Sequence, residues 1–306
     1  MKESVNKEFK GLGTDIYLEI VLPDQYGQVD MARAKTHLEA AQEIVAQKEK
    51  VLSRFNQGSE LNKFNNNLGK FFSASPDLHY LAGKSLYYYD ATGRLFDPRV
   101  IIALEGVGYD RDFKLVKENS NKINKDIVFK NAFNKVLRED LIINGQEVCF
   151  KKRMDFSGIA KGYINDQISG FLKSRGWQNY LVDTGGDIFA AGKDREGEDW
   201  AVEVENSDKN AALLIKLKNQ AVATSGITRR NWEKEGKVFH HLVNPLKPDE
   251  FTTEFLSLSL VAATAEEADV WAKVLFLMGE GVKAYIEKNK MKAVILFKSG
   301  EVWQSF

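Results

Sequence analysis

The chain has 306 residues, 43% of them hydrophobic and 28% charged, which is the make-up of a globular protein able to bury a large core. Its 43 Lys+Arg balance its 43 Asp+Glu, so no general field draws it to nucleic acid or to anionic lipid. The single cysteine, Cys149, excludes an internal disulfide framework and a cysteine metal cluster.

The start, MKESVNKEFKGLGTDIYLEI, has no signal-peptide core, and no apolar run reaches the length of a membrane span. The expected compartment is the cytoplasm, or an extracytoplasmic one with the targeting segment removed. Residues 13–22 alternate as a first strand. Residues 29–52, rich in Ala, Glu, Gln and Lys, read as a long helix. A second helix follows, with Ser75 as its cap and Pro76 at its first position. The segment 111–134 is charged and rich in Asn and Lys, an exposed excursion too short to be a linker between domains. In LIINGQEVCF, Asn144-Gly145 is a hairpin turn signal and Cys149 takes a buried strand position. The basic run Lys151-Lys152-Arg153 reads as a solvated strand end.

A helix is expected from Lys161 to about Arg175. NYLVDTGGDIFAAG then reads as strand, Gly-Gly turn and strand. WAVEVEN, AALLIKL, QAVATSG and EFLSLSLVAA are further strands, and AEEADVWAKVLFLMG is a helix ending at Gly279. A short helix near GVKAYIEKN and a hairpin, KAVILFKSGEVWQSF, close the chain. This order is α+β with mixed and antiparallel sheets, not regular βαβ repetition. It predicts a single domain over residues 1–306, with any division into two subdomains near residues 105–150.

The unusual chemistry lies at element boundaries. Gly158, Gly162, Gly185, Gly186 and Gly226 fit turn geometry, or close backbone approach with amides aimed at phosphate oxygens. Neither GIAKG nor DTGGD has the spacing of a Walker A loop or a dinucleotide fingerprint.

Together these segments resemble one family. DFSGIAKGYINDQ, LVDTGGDIFAAG, AVATSG, HHLVNP and LVAATAEEADVWAKVLFLMG follow LGT, LSRFNQGSELNKFN and GRLFDPRV in the order found in the ApbE-like flavin transferases, the FAD:protein FMN transferases. The resemblance runs from about Leu12 to the C-terminus. It implies an α+β fold with FAD in a cleft. It also implies a divalent cation, usually magnesium, and transfer of FMN to a threonine hydroxyl of an acceptor protein with release of AMP. Some relatives mainly hydrolyse FAD to FMN and AMP. The partners implied are FAD and an acceptor protein, with no nucleic acid and no transmembrane segment.

Residue roles follow from the same resemblance. Leu12, Gly13 and Thr14 (LGT), Thr224 and Ser225 lie in cofactor-binding segments. Phe55 packs near a flavin or adenine ring or else belongs to the core, and Ser59 stands at a helix start. Asp97, with Pro98, supports the cofactor loop. Asp155 orients a turn, lies near the cation or caps a helix. Gly158 and Lys161 sit in the GIAKG turn. The Lys161 ammonium meets a phosphate or a nearby acid, and its removal is expected to impair FAD handling with little loss of fold stability. Gly185, Gly186 and Asp187 form the Gly-Gly-Asp hairpin. His241, not its neighbour His240, aligns with the family histidine. Two adjacent strand histidines point to opposite faces.

Asp269 aligns with the metal-binding aspartate. The threonine four residues on, which with a main-chain carbonyl near the AKG turn completes the family's metal contacts, is Lys273 here. A lysine at that place either fills the metal position with its ammonium or turns away. Two further departures are Pro245-Leu246-Lys247-Pro248, where the family has a Thr-Gly turn, and Ile227, where a polar residue is common. The catalytic set expected is therefore Asp269, Lys161, His241 and Lys273. The alternatives are a weak or inactive FAD- or FMN-binding homologue and an FAD pyrophosphatase.

Overall fold

The computed structural model describes residues 1–107, 109, 132–204, 213–228, 230–234 and 236–306, so residues 111–131 of the charged excursion lie outside the described residues. In chain order the described strands begin with β1 (Ser4–Gly11), β2 (Thr14–Val21), β3 (Phe71–Ser73), β4 (Leu141–Asn144) and β5 (Glu147–Phe150). They continue with β6 (Tyr180–Asp183), β7 (Ile188–Ala191), β8 (Trp200–Val204), β9 (Leu213–Leu217) and β10 (Gln220–Gly226). The last are β11 (Asn231–Lys234), β12 (Lys237–His240), β13 (Phe255–Ala262), β14 (Lys292–Phe297) and β15 (Val302–Gln304). The helices are α1 (Gln28–Leu52), α2 (Glu60–Asn65), α3 (Pro76–Ala91), α4 (Val100–Gly106), α5 (Leu137–Asp140), α6 (Ser157–Ser174), α7 (Ala265–Met278) and α8 (Val282–Lys288).

The framework is an eight-stranded sheet in the order β1-β2-β6-β7-β10-β13-β14-β15, antiparallel at every step. Its first hairpin differs from the sequence expectation, which began the first strand at Gly13. β1 pairs with β2 in a register that brings Gly11 opposite Thr14. Leu12 and Gly13 are left as a two-residue turn with φ of 56° and 71°, the left-handed pair that a type I′ hairpin needs. The hairpin at Asn144-Gly145 is as expected, and Cys149 is buried in the three-stranded sheet β3-β5-β4.

Helices cover one side of the large sheet. Ile159, Ile164, Ile168 and Leu172 of α6 share a core with Ala34, Leu38, Ala41 and Val45 of α1 and with Leu18 and Val182 of the sheet. Ala268, Ala272 and Leu275 of α7 pack with Ala223, Leu258, Leu260 and Ile295. The opposite face at the sheet centre is covered by the β8–β9 hairpin, where Trp200, Val202, Ile215 and Leu217 meet Val222, Val261 and Val294. Being covered on both faces explains why β13 is almost continuously buried rather than alternating.

The α6–α7 approach is close. A Cβ on Gly162 would lie 2.3 Å from the carbonyl oxygen of Ala265. Only glycine lets the start of α7 come this near, and that contact sets where Asp269 stands relative to α6.

Candidate functional site

The loops at one end of the sheet, the start of α6 and one face of α7 surround a cleft of about 470 Å³. α6 begins at Ser157, so Lys161 lies in its second turn rather than in a turn before it. The cause is Asp155. Its carboxylate accepts hydrogen bonds from the Ser157 amide at 2.8 Å and the Ser157 hydroxyl at 2.9 Å, which starts the helix early. Arg54 lies 3.2 Å from the same carboxylate, so this buried acid carries a charge partner as well.

Lys161 forms an ion pair with Asp187, which is only 2% exposed. Burial opposes the lysine's charge, but Asp187 and then Asp269 outweigh it and hold Lys161 above the ordinary lysine range. Burial pushes Asp187 up, to about 6, against the pull of Lys161. One turn further along α6, Asn165 donates to the carbonyls of Val182 at 2.9 Å and Asp187 at 2.8 Å. Lys161 and Asn165 thus grip the β6–β7 turn from one helix face.

In that turn the glycines take the first of the two roles their sequence allowed, turn geometry. The amides of Gly185 and Gly186 both donate to Asp183, at 2.8 and 2.7 Å, so they brace the turn instead of facing a phosphate. The glycines are required for shape: φ is 84° at Gly185 and 97° at Gly186. A Cβ on Gly185 would also lie 2.3 Å from the Thr14 hydroxyl, so the β1–β2 and β6–β7 turns touch.

Asp97 accepts from the backbone amide and guanidinium of Arg99, and Arg99 also binds Asp140 at 2.7 Å. This network is almost wholly buried and pins the loop that forms the cleft wall. On the facing wall, Thr224 of β10 hydrogen bonds Ser259 of β13 at 2.8 Å, and Ser225 follows it. His241 is held well below the usual histidine range by burial and by the Arg230 charge, so its ring is neutral at pH 7. Its Nδ1 lies 3.3 Å from the Arg230 carbonyl. A carbonyl only accepts, so that contact puts the proton on Nδ1 and leaves Nε2 with the lone pair. His240 belongs elsewhere: it is buried against Phe251 and Phe276, with Nε2 3.0 Å from the Phe251 carbonyl.

Asp269 and Lys273 of α7 complete the cleft. The Lys273 ammonium donates to the Gly158 carbonyl at 2.7 Å and to Asp269 Oδ1 at 3.2 Å, while Asp269 Oδ2 accepts from the Gly162 amide at 3.3 Å.

Of the catalytic and cofactor-binding residues that the resemblance implies, Gly13, Thr14, Asp97, Asp155, Gly158, Lys161, Gly185, Gly186, Thr224, Ser225, His241, Asp269 and Lys273 line this cleft. Four do not. Asp187 lies behind the lining as the partner of Lys161. Leu12 forms the hairpin turn, and its amide donates to Glu49 at 2.7 Å. Ser59 is buried as the cap of α2, accepting from the Asn62 amide. Phe55 is 40% exposed beside the Arg54 guanidinium and Tyr109. Two residues escaped the sequence reading. Arg230 lines the cleft together with Lys161 and Lys273. Asn165 lies in the same DFSGIAKGYINDQ stretch, four residues after Lys161, and its partners are across the chain.

The sequence profile of the ApbE family matches residues 12–296. A protein of Haemophilus influenzae named FAD:protein FMN transferase is 26% identical over 304 residues, covering 95% of this chain and 85% of that protein. Relatives of the same name from Klebsiella pneumoniae and Escherichia coli align over 45% of their own length. Among solved structures, the flavin transferase ApbE of Vibrio cholerae superposes with a TM-score of 0.83 at 21% identity, covering 100% of this chain and 98% of that one. The ApbE protein of Thermotoga maritima gives 0.84 at 22% identity, covering 99% and 97%. At that identity the two structures speak for the fold.

Proposed function

The chain belongs to the ApbE family, and from that premise we propose that it is an FAD:protein FMN transferase acting on a threonine hydroxyl. The observation that carries the reading is the meeting of Lys161, Lys273 and Arg230 in one cleft, beside the start of α6. Splitting a pyrophosphate is chiefly a matter of neutralising charge that spreads over the phosphoryl oxygens. Three cations and a helix N-terminus suit that task, because the helix dipole adds positive potential at the same end.

In the proposed reaction the threonine oxygen bonds to the phosphorus on the FMN side of FAD. The bond from that phosphorus to the bridging oxygen breaks, and its electron pair leaves with AMP. His241 Nε2, unprotonated at neutral pH, takes the hydroxyl proton. Lys161, kept charged by Asp187, stabilises the phosphoryl oxygens, and Lys273 and Arg230 share the charge of the departing AMP.

The test is a mass spectrum of the protein incubated with FAD and a threonine-bearing acceptor peptide. The expected result is a peptide carrying FMN through a phosphodiester, with AMP released in equal amount. Free FMN and AMP with an unmodified peptide would instead identify an FAD pyrophosphatase. Bound, uncleaved FAD would identify a flavin-binding protein.

A further inference from the structure

The family resemblance implies a divalent cation at Asp269, but the donor set of this chain does not fit one. Magnesium demands oxygen ligands in near-octahedral order. Here Gly158 O and Asp269 Oδ1, the two oxygens that converge on the place, both accept from the Lys273 ammonium. The side chain in the threonine's place brings a positive charge where an oxygen ligand is needed.

We propose that the Lys273 ammonium is a built-in substitute for the divalent cation, seated on Gly158 O and Asp269 and directed at the FAD pyrophosphate, so that this chain binds FAD without a metal. The inference rests on the reading of the cleft as an FAD site. Three features support it. First, the ammonium has three N–H groups and two named acceptors, leaving one donor for an anion in a cleft that Lys273 itself lines. Second, the ammonium packs directly on the start of α6: a Cβ on Gly158 would stand 3.0 Å from Lys273 Nζ, a contact that a shift of the lysine tip by a few tenths of an ångström would relieve. Third, each ammonium has its own acid, Lys161 with Asp187 and Lys273 with Asp269, and Arg230 lines the same cleft. A divalent ion would have to enter beside two ammonium groups. A lysine turned out to solvent would make neither the 2.7 Å nor the 3.2 Å contact.

The experiment is a flavin-fluorescence titration of the full chain with FAD, in magnesium and in EDTA, with Mn2+ paramagnetic resonance as a separate metal probe. The expected result is the same FAD affinity, within about twofold, in both buffers. Lys273→Met, which keeps most of the stem and removes the charge, should weaken FAD binding about tenfold in both, the scale of a lost charge-assisted hydrogen bond. Magnesium tightening wild-type FAD binding tenfold or more would overturn the proposal. So would Mn2+ bound to the wild type and lost in Asp269→Asn, or an unchanged FAD affinity in Lys273→Met. If Lys273→Met does not fold, the wild-type FAD titrations in magnesium and in EDTA and the Mn2+ resonance decide. Failure to bind FAD at all overturns this inference together with the proposed function. Tight binding that requires magnesium overturns this inference alone.

Discussion

Replacing Lys161 by Met removes the partner of a carboxylate that is 2% exposed. Lys161 is the only side chain hydrogen bonded to the Asp187 carboxylate among the described residues, so the variant strands a buried charge. Breaking a buried pair from one side costs about 3–5 kcal/mol. The lysine side chain is 23% exposed, which places the expected loss near the lower end, about 3 kcal/mol. For a chain of this size that corresponds to a fall in Tm of roughly 5 °C. The pairing changes the sequence expectation that Lys161 could be removed with little loss of stability.

The same variant carries a pH signature. Asp187 already sits at about 6 with Lys161 pulling it down, so without the lysine it rises further. A carboxylate whose folded pKa exceeds its unfolded value of about 3.9 favours the folded state most at low pH and loses that contribution as pH rises through the folded pKa. The deficit of Lys161→Met should therefore be small at about pH 5 and largest at about pH 8. Asp187→Asn added to Lys161→Met should restore most of the stability at pH 8 without restoring FAD cleavage. Urea denaturation of the wild type, both single variants and the double variant at the two pH values measures the coupling. A deficit equal at both pH values and untouched by Asp187→Asn would refute the argument.

Two further outcomes follow from the geometry. Gly162→Ala forces a Cβ onto the Ala265 carbonyl and should cost at least about 1–3 kcal/mol by pushing α7 from α6, with weaker FAD binding; denaturation with an unchanged midpoint would contradict the close approach. The pH profile of FMN transfer should be level through neutral pH, because His241 stays neutral there, and should fall on the acid side near 6 as Asp187 gains a proton and releases Lys161. Single-turnover rates across that range test this, and an acid limb that persists unchanged in Asp187→Asn would assign it to another group.

Much of the scaffold was legible because local chemistry decided it. Ser75 accepts from the Leu78 amide as a helix cap should, Asn144-Gly145 turns its hairpin, and Gly279 ends α7 with φ of 66°. β1 was not legible. In SVNKEFKG only Val5 and Gly11 are buried, so the strand exists through its pairing with β2 rather than through its own pattern. The early start of α6 was hidden for a similar reason, since Asp155 caps from outside the helix. Within the site, Lys161, His241, Asp269 and Lys273 were found by family resemblance and the cleft brings them together. Arg230 and Asn165 have no local signal. The partners of Asn165 lie across the chain at Val182 and Asp187, a relation that spacing within one helix does not carry.

The stretch Met154 to Gln167 owes its composition to its own helix start and to two neighbours that it must hold at once. Asp155 sets the first turn of α6, which fixes the phase of every later side chain. Given that phase, Lys161 and Asn165 meet the β6–β7 turn, while Gly162 and Asp166 meet the start of α7. Asp166 accepts from the Ala265 and Glu266 amides at 2.8 and 2.9 Å, and burial still pushes it up to about 6 against those donors. The charges that face the cleft are therefore held by carboxylates that also join helix to sheet and helix to helix. Lys161 is fixed by the acid of one element and Lys273 by the acid and carbonyl of two others. The placement of these two ammonium groups in the cleft is thus a consequence of how α6 docks, and it is in place before any ligand arrives. Such preorganisation lets a site stabilise a developing phosphoryl charge without reorganising during the reaction.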